Sequence, residues 1–219
     1  MPAVELAAAA LGDLSKELVL VGGCAVGLLI TDAAIPPIRS TLDVDLVTEV
    51  APLARYYLLG DRLRDRGFIE SQELTCRWVR GALILDVMPT EEHVLGFTNK
   101  WYEGAARTSE EYVLPSGASI RLIAAPYFIA TKVESFRSRG GGDYLHHDIE
   151  DIVTVVDGRP ELLDEVNAAD QDVKAFVRSS FEEIVLEQAF LDVLAWHFGE
   201  SEQGRVPIVL DRLRQLAGL

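Results

Sequence analysis

Cysteine is scarce in this chain, and long apolar runs are missing from it. The 219 residues include two cysteines, Cys24 and Cys76, and they lack the spacing of a metal-binding cluster, so no zinc site is expected. Few cysteines also indicate a reduced, cytoplasmic location. No apolar run approaches the roughly 18 residues that a membrane span requires, and the first ten residues lack the basic start of a signal peptide. We therefore expect no membrane partner.

Basic residues are also few relative to acidic ones. Lys and Arg total 20 against 35 Asp and Glu, which gives a formal net charge of −15. A surface of this sign excludes bulk binding to DNA, because neutralising many phosphates needs a surplus of cations. Any contact with nucleic acid must be local. The content of 49% hydrophobic and 25% charged residues is typical of an ordered globular protein.

Hydrophobic periodicity divides the chain near residue 125. The first part mixes strands with helices, and two pairs of strand-like runs flank Gly81 and Ser116-Gly117 as hairpins. The later part has helical periodicity almost throughout. We predict an α+β protein, with an α/β catalytic portion at 1–124 and a helical portion at 125–219. The predicted strands are 18–21, 42–47, 75–80, 82–88, 111–114 and 119–123, and the predicted helices are 3–16, 24–31, 50–66, 125–138, 148–157, 160–168, 171–197 with a break, and 205–217.

Two acids lie on the second predicted strand. Successive side chains of a strand alternate faces, so Asp43 and Asp45 point the same way about 7 Å apart. A divalent cation between them would explain two like charges at this spacing, and Mg²⁺ prefers carboxylate and phosphate oxygens. The alternative is a solvent-facing edge strand. Asp86 interrupts the apolar face of another strand, and if the two strands are neighbours the three acids form a cluster suited to in-line phosphoryl displacement.

Glycines and hydroxyls surround the acids in the sequence. Gly22 and Gly23 follow a buried strand and precede a helix, so their backbone amides can approach a phosphate at a helix N-terminus. A tight turn between strand and helix is the alternative. Arg39, Ser40 and Thr41 precede the acids and offer a guanidinium group and hydroxyls for phosphate oxygens.

A second polar group lies in the helical portion. Lys132 shares a helix face with Ser135 and Phe136, and Arg139 follows one turn further on. Asp148 and Asp151 share a face at the start of the next helix. The alternatives are a surface position for Lys132 and an N-cap role for Asp148. His146 and His147 lack a third ligand at suitable spacing for a metal.

The segments GGCAVGLL, RSTLDVD and a distant LDV resemble the pattern of DNA polymerase β-like nucleotidyltransferases, in particular the AbiEii/AbiGii (MenT-like) toxin branch. The resemblance implies a mixed β-sheet flanked by helices and followed by a helical portion. It also implies that Gly22 and Gly23 hold the triphosphate of an NTP and that Asp43 and Asp45 carry Mg²⁺ or Mn²⁺. Asp86 matches by position only, as a metal ligand or as the base that orients the acceptor hydroxyl.

The resemblance extends to a late motif, K-x-x-S-F-x-x-R followed by D-x-x-D. It implies that Lys132 meets nucleotide phosphate and that Arg139 and one of Asp148 and Asp151 complete the site. The usual R-D-x-x-D run is interrupted by residues 140–147, so either aspartate can be the matching one. Residues 160–219 carry no motif.

We expect a Mg²⁺-dependent transfer of NMP to RNA, tRNA or a protein, as by the toxin of a toxin–antitoxin or phage-defence system with an antitoxin partner. The alternatives are transfer to a small, aminoglycoside-like hydroxyl compound and a non-catalytic nucleotide-binding module. Basic residues gathered around one cleft would favour RNA, and scattered ones would favour the small molecule. The residues concerned are Arg39, Arg77, Arg80, Arg121, Lys132 and Arg137.

Overall fold

The computed structural model describes residues 2–35, 41, 43–49 and 53–219. The chain forms two compact units. Unit 1 comprises Met1–Leu28 and Arg39–Ala124, and unit 2 comprises Leu29–Ile38 and Ala125–Leu219. Nothing in the sequence pattern marks Leu29–Ile38 as part of the second unit.

Unit 1 is built on one mixed sheet of seven strands. The strands are β1 (Leu18–Leu20), β2 (Asp43–Thr48), β3 (Ile69–Glu70), β4 (Arg77–Arg80), β5 (Leu83–Pro89), β6 (Glu110–Val113) and β7 (Ser119–Leu122). Their order across the sheet is β3-β4-β5-β2-β1-β7-β6. β2 runs parallel to β5 and β1 runs parallel to β7, whereas the other neighbours are antiparallel. Both predicted hairpins are therefore present, as β4–β5 and β6–β7.

Helices cover the sheet of unit 1. They are α1 (Pro2–Leu11), α2 (Gly22–Leu29), α3 (Leu53–Asp65), α4 (Glu92–Leu95) and α5 (Tyr102–Thr108). Val44 and Leu46 are buried and point away from the acids of β2, as the alternation of a strand requires. The buried face of α1, which includes Val4 and Leu11, packs on β2 and β5. Each fully buried side chain of this kind contributes about 1.5–3 kcal/mol, so the apolar face fixes which way the acids point.

Unit 2 is helical. Its helices are α6 (Ala125–Arg139), α7 (His147–Gly158), α8 (Leu162–Ala168), α9 (Gln171–Leu186), α10 (Gln188–Val193) and α11 (Val206–Ala217). α6 packs on α7 and α9, and α9 packs on α11. The mixed sheet with flanking helices and the helical second half confirm the predicted α+β class. Within the described residues, no helix has the length and apolar character to cross a membrane.

Two predicted helices are divided in the structure. The helix predicted at 3–16 ends at Leu11, and a 3₁₀ helix, Gly12–Lys16, follows. Gly12 has a φ of +59°, a left-handed conformation that ends an α-helix. The segment predicted at 171–197 consists of α9, α10 and a 3₁₀ helix, Leu194–His197.

Candidate active site

The acids of unit 1 lie in one row across neighbouring strands. Asp45 of β2 is the parallel partner of Asp86 of β5, and Asp86 is the antiparallel partner of Arg77 of β4. Directly paired residues point to the same face of a sheet. Asp43, two positions before Asp45, points to that face as well. The structure therefore brings the three predicted acids together and adds an arginine to them.

Arg77 binds two of the three acids. Its Nε donates to Asp86 Oδ1 at 2.8 Å, and its Nη2 donates to Asp86 Oδ2 at 2.7 Å and to Asp43 Oδ2 at 3.3 Å. The hydrogen bonds to Asp86 raise the pKa of Arg77 above its ordinary value. The formal charges of these three carboxylates and this guanidinium group sum to −2.

A glycine leaves room for the Asp45 carboxylate. Gly22 begins α2 with a φ of +64°, and a Cβ atom there would lie 1.9 Å from Asp45 Oδ2. The backbone N–H of Val21 donates to the carbonyl oxygen of Asp45 at 2.9 Å. Glycine is therefore required at position 22 both by the backbone conformation and by the close approach of the carboxylate. Binding of phosphate by the amides of Gly22 and Gly23 stays a prediction.

Cys24 contacts the strand of the acids, and the sequence pattern does not predict this position. Its Sγ lies 2.8 Å from Thr41 Oγ1 and donates to the carbonyl oxygen of Asp43 at 3.1 Å. Burial raises the pKa of the Cys24 thiol, which keeps it neutral near pH 7. The hydroxyl of Thr41, predicted to bind phosphate, thus contacts this thiol at the start of β2. Arg39, also predicted to bind phosphate, lies outside the described residues.

The residues of the late motif form a cluster in unit 2. Lys132 is buried, and its Nζ lies 3.1 Å from Asp148 Oδ1 and 2.6 Å from Asp151 Oδ2. Arg139 donates to both oxygens of Asp148, each at 2.9 Å. Two cations thus balance two carboxylates. The surface alternative for Lys132 is wrong, because its side chain is 7% exposed. Its predicted contact with nucleotide phosphate stays a prediction.

Asp148 is not the N-cap of α7. The cap is His146, whose Nδ1 accepts a hydrogen bond from the Asp148 backbone N–H at 3.2 Å. The Asp148 side chain is fully buried among cations instead. Burial alone would raise its pKa, but the Arg139 hydrogen bonds and the Lys132 charge outweigh burial and lower it. The N-cap alternative for Asp148 is therefore wrong, although Asp148 does lie in the first turn of the helix.

His146, His147 and Asp148 bring three ligand-type atoms within 4.8 Å of one another. A cation among them would face repulsion from Lys132 and Arg139, which already bind the Asp148 oxygens. The Nδ1 lone pair of His146 is used by the helix cap. Binding of a divalent cation by Asp43 and Asp45 stays a prediction.

We predict that Arg77→Gln tightens the binding of Mn²⁺ to unit 1. Removing the guanidinium group changes the cluster from −2 to −3, and we expect about tenfold tighter binding. Electron paramagnetic resonance of free Mn²⁺ measures the affinity, and circular dichroism checks that the variant is folded. Arg80→Gln is the control, because Arg80 lies on the same strand but donates to the Arg66 carbonyl oxygen. Equal or weaker Mn²⁺ binding by Arg77→Gln would show that Arg77 does not oppose the metal.

Solved structures share this architecture. An antigenic nucleotidyltransferase-like protein from Paracoccidioides brasiliensis aligns with a TM-score of 0.53 and 21% identity, over 87% of this chain and 88% of its own. The chain has the nucleotidyltransferase fold. The antibiotic-resistance factor ANT(2'')-Ia aligns with a TM-score of 0.50 and 16% identity, over 83% of this chain and 90% of its own. No protein-family model and no curated protein matches the chain. Neither structure bears the description of an AbiEii-type toxin, so that narrower resemblance stays a prediction.

Proposed function

We propose that the chain is a divalent-metal-dependent nucleotidyltransferase that transfers NMP from an NTP to a hydroxyl group. One observation carries the proposal: Asp43, Asp45 and Asp86 lie on one face of the sheet with a net charge of −2 once Arg77 is counted. The nucleotidyltransferase fold of the chain supports it. Phosphoryl-type transfers depend mainly on positioning and on neutralising charge, and this cluster provides both.

In this proposal Asp43 and Asp45 hold Mg²⁺ or Mn²⁺. When bound, the metal neutralises phosphate charge and orients the phosphate for displacement. Gly22 and Gly23 offer backbone amides at the start of α2, where the helix dipole favours an anion. The attacking hydroxyl displaces pyrophosphate, so the acceptor carries NMP and its hydroxyl proton is released.

Asp86 has a separate role in the proposal. Arg77 binds both of its oxygens, which fixes the orientation of the carboxylate. Each oxygen keeps a second lone pair, and we assign one of them to a hydrogen bond from the acceptor hydroxyl. Arg77 is thus a positioning residue that acts through Asp86. The roles predicted for Lys132, Arg139, Asp148 and Asp151 in holding the nucleotide remain part of the proposal.

The acceptor we favour is a small, cationic hydroxyl compound of the aminoglycoside type, and not RNA. Arg80 and Arg121, two of the arginines considered above as RNA contacts, lie far apart in the sheet of unit 1. Arg80 on β4 donates to the Arg66 carbonyl oxygen, whereas Arg121 lies on β7, with three strands between them. RNA binding would need basic residues along one track. The formal net charge of −15 over the whole chain favours a cationic acceptor instead.

The test is to incubate the protein with each labelled NTP and Mg²⁺, offering aminoglycosides or total RNA as acceptors. We expect label on the small molecule, release of pyrophosphate, and complete loss of both with EDTA. Label on RNA alone would keep the reaction and change the acceptor. Nucleotide binding without turnover would support the non-catalytic module, and no nucleotide binding with any NTP would refute the proposal.

A further inference from the structure

Unit 1 contains a second polar site, a cavity of about 550 Å³ at the other end of the strand that carries the acids. We call it the basic pocket. It is lined by Lys16, Glu17, Thr48, Glu49, Arg55, Leu58, Leu59, Arg62 and Arg121. Small-molecule sites are typically about 300–1,000 Å³, so the volume suits one compact ligand.

The pocket concentrates positive charge in an acidic protein. Four of the 20 basic residues of the chain line it, against two of the 35 acidic ones. Arg62 and Glu17 neutralise each other through two hydrogen bonds of 2.6 and 2.7 Å. Lys16, Arg55 and Arg121 then face Glu49 alone, which leaves a local charge of +2. Such a patch focuses anions from solution even where the whole surface repels them.

The cations that define this charge are available to a ligand. Arg121 donates to neutral acceptors, Ser109 Oγ at 3.0 Å and the Ala106 carbonyl oxygen at 2.6 Å, and its Nη1 is 3.8 Å from Glu49. Lys16 and Arg55 are exposed, and neither has an ion pair with another of the described residues. Two exposed cations beside one held in place by hydrogen bonds can all donate to the same anion.

The pocket is separate from the acids of β2. Thr48, which lines the pocket, pairs with Leu18 at one end of β2, and Asp43 begins the strand at its other end. Five residues of strand span about 16 Å. A metal held by Asp43 and Asp45 therefore cannot also bind an anion in the pocket.

We propose that the basic pocket binds a small polyanion that carries two or more phosphate or carboxylate groups. The local charge of +2, the cavity volume, and the apolar wall of Leu58 and Leu59 together fit an organic or inorganic polyanion. A nucleic-acid backbone would need a continuous track of cations, and Glu17 and Glu49 interrupt one here. The proposal does not depend on the nucleotidyltransferase activity.

Isothermal titration calorimetry with inorganic pyrophosphate, and separately with citrate, tests the proposal on protein freed of metal by a chelating resin, because free EDTA is itself a polycarboxylate that the pocket could bind. Pyrophosphate binding identifies the phosphate class, citrate binding identifies the carboxylate class, and either supports the proposal. The double variant Lys16→Gln/Arg55→Gln is expected to bind at least about tenfold more weakly. Backbone NMR shifts are expected at Thr48, Leu58 and Leu59.

The control is Lys174→Gln/Arg214→Gln, which removes a half-buried lysine and an exposed arginine of unit 2 and should bind like the unmodified protein. Asp45→Asn should also bind unchanged, which separates the pocket from a phosphate subsite at the acids. Failure of both anions to bind overturns the proposal. The proposal is also overturned if Lys16→Gln/Arg55→Gln binds the anions as tightly as the unmodified protein. Binding of single-stranded RNA, without binding of either anion, overturns it as well.

Discussion

Asp45→Asn and Gly22→Ala are each expected to reduce nucleotide transfer by at least about 10²-fold, because both act on the same carboxylate. Asparagine removes the charge that we propose holds the metal, while it preserves the shape of the side chain. Alanine at position 22 places a Cβ atom 1.9 Å from Asp45 Oδ2 and 2.5 Å from its Cγ, so the carboxylate must move. Initial rates with labelled NTP at saturating Mg²⁺ measure both effects.

Gly81→Ala is the matched control for Gly22→Ala. Gly81 has a φ of +61°, close to the +64° of Gly22, but a Cβ atom at position 81 would meet nothing within 4 Å. Both alanine variants should lose about 1–2 kcal/mol of folding stability from the left-handed backbone, and only Gly22→Ala should also lose activity. Near-normal transfer by Gly22→Ala would mean that Asp45 needs no fixed position. Near-normal transfer by Asp45→Asn would remove the metal site from the proposal.

Lys132→Met is expected to lower the free energy of unfolding by about 3–5 kcal/mol, because it leaves buried carboxylates without their cation. Asp151 loses the ammonium group 2.6 Å away, while Asp148 keeps Arg139. Asp148 and Asp151 are 0% and 7% exposed at the side chain, so water cannot replace the lysine. Urea denaturation followed by circular dichroism measures the change.

Two further variants show whether the loss comes from the contact between Lys132 and Asp151. Lys132→Met combined with Asp151→Asn should recover part of the stability, because the uncompensated charge is gone. Lys174→Met, at a half-buried lysine of α9 that donates to the neutral Asn167 carbonyl oxygen, should change stability much less. If Lys132→Met is as stable as the unmodified protein but no longer binds NTP, the ammonium group serves the nucleotide and not the buried cluster.

Local periodicity was enough to predict most elements and the direction of the acids. The alternation of Asp43, Val44, Asp45 and Leu46 places both acids on one face, and the structure buries Val44 and Leu46 on the other. The glycine at position 81 between two strand-like runs predicted the β4–β5 hairpin. These features depend on residues that are neighbours in the sequence, so the sequence pattern predicts them.

Features that depend on strand order and burial were not predictable in the same way. The sequence predicts Arg77 only as a possible contact for RNA. Its position opposite Asp86 depends on the register of the β4–β5 hairpin, which the sequence pattern does not determine. The contact of Cys24 with Thr41 joins residues 17 positions apart. The surface alternative for Lys132 failed because helical periodicity does not reveal which polar residue a neighbouring helix buries.

The Arg77–Asp86 ion pair also bears on the order in which the chain folds. The two residues are nine positions apart within one hairpin, whereas Asp43 is 34 positions from Arg77. Local contacts form before distant ones, because closing a long loop costs more entropy. We therefore expect the hairpin to form its charge pair before β2 docks beside β5. Asp43 and Asp45 then approach an aspartate whose charge Arg77 already balances. The electrostatic repulsion among the three carboxylates is therefore lower when β2 pairs with β5.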